Sequence, residues 1–263
     1  MDASSVDPDP SGLVFRLADN SRIKIIGLGG VGCIVLQFLA MLLNSLGQPM
    51  RLVLIDGDEF EPANSQRMAF HNLGNKAEVK AAETVGLLDS GTVAVVAVPK
   101  YVSEDNVGEL IGEGDLILLC CDNHPTRKLV SDHCQRLSDV VLISGGNEAV
   151  NPPEELGTYG NVQIAIRQGG KDLTVPITRF HPEIAHPQGR MPTEMDCGQQ
   201  AASAPQFLIT NMFVAAAMLG SFVAYACDRL SYQEIKLDVL EARMLPQLSL
   251  TGNGVSLSDS PSA

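Results

Sequence analysis

The sequence contains few basic residues for its length. Lysine and arginine together number 18 in 263 residues, against 31 aspartates and glutamates, and the formal net charge is −13. Proteins whose main ligand is nucleic acid neutralise phosphates with lysine and arginine. The charge balance disfavours that class of protein, and we expect no nucleic-acid partner.

Cysteines at zinc-binding spacing are also missing. Zinc sites of the structural kind are commonly built from two Cys-x-x-Cys pairs, and the sequence has no such pair. We therefore expect no zinc. The six cysteines are Cys33, Cys120, Cys121, Cys134, Cys197 and Cys227.

The first residues lack the apolar segment of a signal peptide. Residues 1–12 are acidic and rich in small side chains, which does not fit a secretory signal. Cysteines in a protein without such a signal are most simply reduced thiols. We expect a cytoplasmic protein, with disordered tails over residues 1–12 and 250–263.

One apolar run is long enough to cross a membrane, over residues 207–227. Asn211 lies inside it, Gly220 and several alanines suit close helix packing, and the flank at Asp228 is acidic rather than basic. These features predict a buried helix and no membrane insertion. A helix that is apolar on all sides also predicts a subunit interface, so we expect a homodimer.

A glycine-rich turn suggests a nucleotide site. A strand-like run over residues 23–26 precedes the turn, and a helix-like run over residues 33–46 follows it. Glycines with the Gly-x-Gly-x-x-Gly spacing permit a tight turn and let phosphate approach the backbone at a helix N-terminus. The glycines of this turn are Gly27, Gly29, Gly30 and Gly32.

The residues after the second apolar run indicate which nucleotide binds. Asp56 closes that run, where a ribose hydroxyl needs an acceptor. Asn64, Arg67 and Lys76 then add an amide and two cations. A triphosphate would use them, whereas a nicotinamide cofactor needs no such cluster. Lys80 remains an alternative to Lys76 as the phosphate-contacting lysine.

A triphosphate also needs a carboxylate for its Mg²⁺. Residues 115–121 form a continuous apolar run that predicts a buried strand, with Asp122 and Asn123 at its C-terminal end. Ligands bind at that end of open parallel sheets. Asp122 is therefore the candidate Mg²⁺ ligand, with Asn123 beside it.

Strand-like runs alternate with helical stretches, which predicts an α/β fold with a doubly wound Rossmann-like sheet. After Gly146, residues 161–167 and 173–178 flank Gly169-Gly170 and indicate a β-hairpin. We expect a single domain over residues 13–249, divided into a nucleotide-binding half at 13–150 and a second half at 151–249. The strand-like runs are residues 23–27, 51–56, 93–98, 116–121 and 140–144.

As a set, these motifs resemble those of the adenylating enzymes of the ThiF, MoeB and HesA type, relatives of the ubiquitin-activating enzyme. The resemblance covers about residues 23–230 and extends to ThiF-type proteins encoded beside accessory plasmid or phage genes. The matching motifs are Gly27-Leu28-Gly29-Gly30-Val31-Gly32, Asp56-Gly57-Asp58 with Asn64 and Arg67, Gly74-Asn75-Lys76-Ala77, and Asp122-Asn123 with Thr126 and Arg127.

The resemblance implies a fold of the ubiquitin-activating-enzyme type and an activity. Such enzymes use Mg²⁺ and ATP to activate a carboxylate as an acyl adenylate. The carboxylate is usually the C-terminal glycine of a ubiquitin-like or sulfur-carrier protein, which residues 151–249 would bind. By resemblance, Asp56 and Asp58 belong to the ribose motif, Arg67 and Lys76 contact the phosphates, Asn64 supports the nucleotide, and Asp122 holds the metal with Asn123 beside it.

Cys197 lies in a polar segment just before the apolar run, a position that resembles that of the transfer cysteine in related members. An exposed thiol suits formation of a thioester. The neighbouring Glu194 and Asp196 would raise its pKa, however. An unreactive loop cysteine is therefore the alternative.

Two other functions remain open at this point. An NAD-dependent oxidoreductase would share only the glycines and Asp56. A non-catalytic nucleotide- or peptide-binding module would explain three departures from the family. Met68 follows Arg67 where the family has glutamine, the spacing from Gly74 to Lys76 is one residue short, and the zinc pairs are missing.

Overall fold

The computed structural model describes residues 12–66, 68–88, 91–153, 155–194 and 206–248. The tails that the sequence predicts lie outside these ranges except for Gly12. Two predicted functional residues, Arg67 and Cys197, also lie outside the described residues.

A single large sheet dominates the described part of the chain and contains nine strands. Two further pairs of two-residue strands lie apart from it. In chain order the strands are β1 (Ser21–Ile26), β2 (Met50–Ile55), β3 (Glu59–Phe60), β4 (Gly74–Asn75), β5 (Val93–Val98), β6 (Asp115–Leu119), β7 (Val140–Asn147), β8 (Val150–Asn151), β9 (Glu155–Leu156), β10 (Tyr159–Gln168), β11 (Lys171–Asp172), β12 (Tyr232–Asp238) and β13 (Arg243–Leu248).

The helices connect and cover these strands. They are α1 (Gly30–Leu46), α2 (Lys76–Val85), α3 (Val107–Leu110), α4 (His124–Cys134), α5 (Pro182–Ala185) and α6 (Leu208–Ala226), with short 3₁₀ turns at Pro62–Gln66 and Pro192–Glu194.

The sheet order is β13-β12-β10-β7-β6-β1-β2-β5, with β11 paired to β10. The strands β7, β6, β1, β2 and β5 run parallel, in the order of a doubly wound fold. The chain passes from β1 outward to β2 and β5, then returns to β6 on the other side of β1. The carboxyl ends of β1 and β6 therefore flank a topological switch point, where ligands bind in such sheets.

Both faces of the sheet are covered, which confirms the predicted α/β class. One face packs its apolar residues against α1, α2 and α6. The other packs against α3, α4 and α5. Parallel strands covered on both faces read as continuous apolar runs, and this explains why all five were recognisable in the sequence.

The hairpin prediction is correct at its turn and wrong in its second arm. Gly169 and Gly170 both have positive φ, +56° and +75°, as a two-residue type I′ turn requires. The second arm is a strand only over β11, however, although the N–H of Leu173 still donates to the carbonyl of Ile166 at 2.9 Å. Thr174 replaces the ladder there, since its hydroxyl donates to the carbonyl of Ile164 at 2.7 Å and accepts from the N–H of Ile166 at 2.8 Å.

The apolar run near the C-terminus forms α6. Among the described helices it alone is long and apolar enough, by length and composition, to cross a membrane. It packs against α1 and against β7, β10 and β12, with Asn211 and Ser221 completely buried. The predicted helix is confirmed, but only one of its faces lies in the core of the domain, and the other is exposed near the start of the helix.

Candidate nucleotide-binding site

An open cleft of about 600 Å³ lies at the carboxyl ends of the parallel strands. Nine of the site residues that the sequence predicts line this cleft. Gly32 does not line it, because it packs against Gly27 where α1 meets the end of β1. The lining includes Gly27, Gly29, Gly30, Asp56, Asp58, Asn64, Lys76, Asp122 and Asn123, together with Lys100, Tyr101, Cys121, Arg127 and Gln206.

The glycine-rich turn brings α1 close against the sheet. Gly27 has a φ of +89°, and a Cβ there would lie 2.9 Å from the backbone nitrogen of Cys121 on the neighbouring strand's continuation. A Cβ on Gly32 would lie 1.9 Å from the carbonyl oxygen of Gly27. Both positions therefore require glycine for close packing.

The N-terminus of α1 faces this cleft. Its cap residue is Gly29, so no side chain of the cap accepts from the first N–H groups of the helix. The first turn also contains no acidic residue. The first N–H groups of a 17-residue helix carry a partial positive charge that attracts anions. A phosphate group is the type of ligand that suits this wall of the cleft.

Asp56 follows β2, lines the cleft beside the glycine-rich turn and is buried. Its carboxylate accepts from the N–H of Leu28 at 2.5 Å and from the N–H of Asp58 at 2.8 Å. Burial raises the pKa of Asp56 to about 6, against the opposing effect of Lys76 and these two N–H donors. Asp56 is thus ionised at neutral pH and close to its titration range.

Lys76 is held next to Asp56 by its neighbour Asp58. The ammonium of Lys76 is buried and lies 2.9 Å from Oδ2 of Asp58. The hydroxyl of Tyr101 donates to Oδ1 of the same carboxylate. Asn75 caps α2 through its side-chain oxygen and donates to the carbonyls of Asp56 and Asp58 at 3.0 and 3.1 Å.

Lys80, the alternative phosphate lysine, points to a different environment. Its ammonium bonds Glu83 at 2.7 Å and the carbonyl of Ala69, and lies 5.6 Å from the centre of the Phe60 ring. Lys80 does not line the cleft, whereas Lys76 does. The geometry favours Lys76.

Asn64 lines the cleft in a structural turn. Its side-chain oxygen accepts from the N–H of Glu61 at 3.0 Å and so stabilises the 3₁₀ turn that precedes Arg67. Met68 is buried at the cleft wall. The predicted role of Asn64 beside a nucleotide stays a prediction.

Asp122 and Asn123 follow β6 at the switch point. Asn123 caps α4, accepting from the N–H and hydroxyl of Thr126 at 2.9 and 3.0 Å. Asp122 accepts from the side-chain amide of Gln206 at 3.2 Å. Asn123 is therefore committed to the start of α4, while Asp122 is the residue of this pair that lines the cleft with a carboxylate.

Arg127 forms part of the cleft floor and is only 4% exposed. Its guanidinium donates to the carbonyl of Cys121 at 2.9 Å and to that of Gly145. It thereby joins the segments that follow β6 and end β7, and so anchors the start of α4 to the sheet. Gly146 admits the guanidinium, because a Cβ there would lie 2.4 Å from it.

The cysteines near the cleft have unreactive thiols. Burial raises the pKa of Cys33 to about 12 and that of Cys121 to about 11, and the same effect raises the pKa of Cys120. Thiols, unlike thiolates, are weak nucleophiles. Cys121 was expected to be a core residue, but it is half-buried and lines the cleft.

Several cleft residues were missed from the sequence. Tyr101 follows β5 at the carboxyl end of the sheet, and this position was the available signal. Asn75, which does not line the cleft, was recognised as part of the motif Gly74-Asn75-Lys76-Ala77, but its role as the cap of α2 was not predicted. Gln206 reaches Asp122 from a segment 84 residues away, and no local pattern predicts that contact.

Solved structures of E. coli MccB have the same fold. The complex of MccB with AMPCPP and MccA aligns with a TM-score of 0.63 over 88% of this chain and 64% of that chain, at 19% identity. The complex of MccB with ATP aligns with a TM-score of 0.62 over 88% of this chain and 63% of that one, at 18% identity. These matches confirm the predicted Rossmann-like architecture.

Curated relatives match a shorter part of the chain. The adenylyltransferase and sulfurtransferase MOCS3 of Mus musculus is 36% identical over 122 residues, which is 46% of this chain and 25% of the relative. The SAMP-activating enzyme E1 of Haloferax volcanii is 35% identical over 130 residues, 48% of this chain and 45% of the relative. The chain thus spans between a quarter and just under half of these relatives.

The family assignment comes from a match over most of the chain. The model of the ThiF family matches residues 15–242, which include the whole described cleft. The chain therefore belongs to the ThiF family.

Proposed function

We propose that this protein is an ATP-dependent adenylyltransferase that activates a carboxylate. The observation that carries the proposal is the arrangement of the cleft. The phosphate-attracting N-terminus of α1, the buried carboxylate of Asp56 and the buried ammonium of Lys76 line one cavity. Relatives of this ThiF-family chain are named adenylyltransferases or E1 enzymes.

In the proposed reaction, a carboxylate oxygen of the substrate attacks the α-phosphorus of ATP. The bond between the α-phosphorus and the bridging oxygen to the β-phosphate breaks, and pyrophosphate leaves with the electron pair. The product is an acyl adenylate. Such a reaction depends mainly on positioning and charge neutralisation, which a cleft without a reactive described thiol can supply.

The protein groups have distinct parts in this proposal. Asp56 accepts hydrogen bonds from the ribose hydroxyls, and the α1 N-terminus and Lys76 neutralise the phosphates. Arg127 adds a positive charge to the floor of the cleft, since its bonds shown in the structure go to neutral carbonyls. Arg67, which the resemblance assigns to the phosphates, is proposed for the same task.

Mg²⁺ fits the donor chemistry of this cleft. It is usually bound by one or two carboxylates together with substrate phosphates and water, and Asp122 provides a carboxylate at the cleft wall. No group of three potential ligands (His, Cys, Asp or Glu) occurs among the residues that the structure describes. Beside Asp122, the ATP phosphates and water would complete the coordination of the ion. When bound, the ion neutralises charge on the departing pyrophosphate.

The proposed substrate is the C-terminal glycine of a ubiquitin-like or sulfur-carrier protein. The name of the Haloferax relative refers to SAMP activation, and MccB was crystallised with the peptide MccA. In a following step, the Cys197 thiolate would attack the acyl carbon, forming a thioester and releasing AMP. We also propose that the protein acts in the cytoplasm.

A homodimer is also proposed, on the basis of an exposed apolar surface. Helix α6 begins with Leu208, Ile209, Met212 and Phe213, each more than 40% exposed. Helix α1 packs against α6 and exposes Phe38. Exposed apolar side chains grouped at the start of one helix suit an association site. The molar mass in solution, measured by light scattering, tests this proposal.

Calorimetry and pyrophosphate release test the adenylation proposal. We expect Mg-ATP to bind more tightly than NAD⁺, and Asp122→Ala to weaken Mg-ATP binding by at least tenfold. Asp132→Ala is the matched control, since Asp132 lies on α4 and pairs with Lys128. NAD⁺ binding alone would indicate the oxidoreductase alternative.

The catalytic step needs a substrate as the second probe. A ubiquitin-fold sulfur-carrier protein ending in Gly-Gly should stimulate pyrophosphate release from Mg-ATP, and the same carrier without its last glycine should not. Tight ATP binding without release, across a panel of such carriers, would favour the non-catalytic module.

A further inference from the structure

An asparagine at the start of α6 is out of place in an apolar helix. Asn211 is 0% exposed, among neighbours such as Val214 and Ala215 that are also fully buried. A buried amide destabilises a fold unless its polar atoms are hydrogen-bonded. The Nδ2 of Asn211 donates to Oε1 of Gln206 at 3.3 Å, while Oδ1 has no partner among the residues that the structure describes. Packing alone does not explain this residue.

Gln206 continues the contact toward the cleft. Its Oε1 accepts from Asn211, and its Nε2 donates to Oδ2 of Asp122 at 3.2 Å. The two ends of one amide group are thus used at once, and hydrogen bonds in such a chain strengthen one another. Asn211, Gln206 and Asp122 form a chain that begins in the core and ends at the cleft.

Gly30 makes room for this chain. A Cβ at Gly30 would lie 2.2 Å from Nδ2 of Asn211 and 3.3 Å from Oε1 of Gln206. Glycine at this position therefore leaves space for the Asn211 amide and also lets a phosphate approach the N-terminus of α1. Through these contacts, the start of α1, the start of α6 and the end of β6 are joined at one point.

We infer that Asn211 and Gln206 are positioning residues, which fix the carboxylate of Asp122 for the divalent cation that accompanies ATP. The inference rests on the proposed function, because it assigns that cation to Asp122. A hydrogen bond to Oδ2 limits rotation of the carboxylate and leaves the second oxygen for the cation. Outer partners that orient a metal ligand in this way typically contribute about 10- to 100-fold in metal affinity.

The test compares the affinity for ATP with and without a divalent cation. Gln206→Met keeps the length of the side chain and removes both hydrogen bonds. We expect it to reduce the Mg²⁺-dependent gain in ATP affinity by about tenfold and to leave ATP affinity in EDTA unchanged. Gln168→Ala is the control, since Gln168 is half-buried at the end of β10 and does not line the cleft.

A second readout does not depend on ATP affinity. Titration of the ATP-loaded protein with Mn²⁺, followed by the paramagnetic resonance signal of the free ion, should show weaker Mn²⁺ binding for Gln206→Met. The double variant with Asn211→Leu should bind Mn²⁺ no more weakly than Gln206→Met alone, because Asn211 acts through Gln206. Additive losses would show that the two residues act separately.

The outcomes separate this inference from the proposed function. If the wild-type protein gains no ATP affinity from Mg²⁺ or Mn²⁺, the assigned cation site and the inference both fail. If the wild type shows the gain and Gln206→Met retains it, the positioning role is wrong while the adenylation proposal stands. A loss with an unchanged unfolding midpoint supports the positioning role.

Discussion

Lys76 and Asp58 are joined twice. The backbone N–H of Lys76 donates to the carbonyl of Asp58 at 2.8 Å, and the Lys76 ammonium lies 2.9 Å from Oδ2 of the same residue. Lys76 is also the first residue of α2, where the helix dipole disfavours a positive charge. A buried cation at a helix N-terminus is unfavourable for folding by itself. Asp58 offsets that cost, and the location is consistent with selection for binding an anion.

We expect Lys76→Met to weaken Mg-ATP binding by about 10- to 100-fold, the usual worth of a hydrogen bond to a charged group. The matched variant is Lys80→Met, which removes a lysine of the same helix that faces Glu83 and Phe60. It should change the affinity less than twofold. Calorimetric titration of both variants provides the comparison, and equal losses would contradict the assignment of Lys76.

The second prediction concerns the pH dependence of nucleotide binding. Burial raises the pKa of Asp56 to about 6, so its carboxylate becomes protonated as the pH falls through that value. A protonated Asp56 is a poorer acceptor for ribose hydroxyls. Mg-ATP affinity should therefore fall between about pH 7 and pH 5, by up to tenfold for each pH unit below the pKa.

Asp56→Asn is the control for this pH effect. The amide cannot titrate, so this variant should show only the pH dependence that ATP itself contributes. The ratio of wild-type to variant affinity removes that contribution. A ratio that stays constant from about pH 5 to pH 8 would show that Asp56 does not titrate in the range that its burial indicates.

The site residues that follow parallel strands could be predicted from the sequence, whereas the contacts between distant segments could not. Asp56 and Asp122 were predictable because each ends an apolar parallel strand, and the carboxyl ends of such strands meet at one edge of the sheet. Tyr101 could have been inferred from its position after β5, but its contact with Asp58, 43 residues away, could not. Gln206 depends on a contact between segments far apart in the chain, which periodicity does not encode. Asn211 was visible as a polar residue in an apolar run, but its partner was not.

The third prediction separates two glycines of the same turn. A Cβ on Gly32 would lie 1.9 Å from the carbonyl of Gly27, whereas a Cβ on Gly29 would meet nothing within 4 Å. Gly32→Ala should therefore lower the free energy of unfolding by about 2 kcal/mol through overpacking. Gly29→Ala should change it by less than about 1 kcal/mol.

Gly29→Ala should instead affect binding. Its new methyl group would enter the cleft beside the N-terminus of α1, where a phosphate needs close access to the backbone. Urea unfolding and Mg-ATP calorimetry on both variants test the distinction. If Gly32→Ala has the same free energy of unfolding as the wild type, α1 can move away from β1 without loss of stability, and the overpacking argument is wrong.

The last prediction concerns a buried histidine outside the cleft. His181 bridges two carboxylates, with Nδ1 at 2.8 Å from Glu183 and Nε2 at 2.9 Å from the buried Glu234. Burial alone would lower the pKa of His181, but the hydrogen bonds with Glu234 and Glu183 outweigh it, and the pKa is raised. The folded protein then binds a proton more tightly than the unfolded chain, whose histidine titrates near 6.5.

The sign of the stability effect follows from that difference. The contribution of His181 is fully present below about pH 6.5 and is lost as the pH rises through the folded pKa. Unfolding free energies from urea titrations should therefore fall between about pH 6 and pH 8 more steeply in the wild type than in His181→Gln. The carboxylates Glu183 and Glu234 remain in both proteins, along with Lys236 at 4.0 Å from Glu234. Parallel curves would mean that His181 is neutral in the folded protein, and a steeper fall in the variant would reverse the sign argued here.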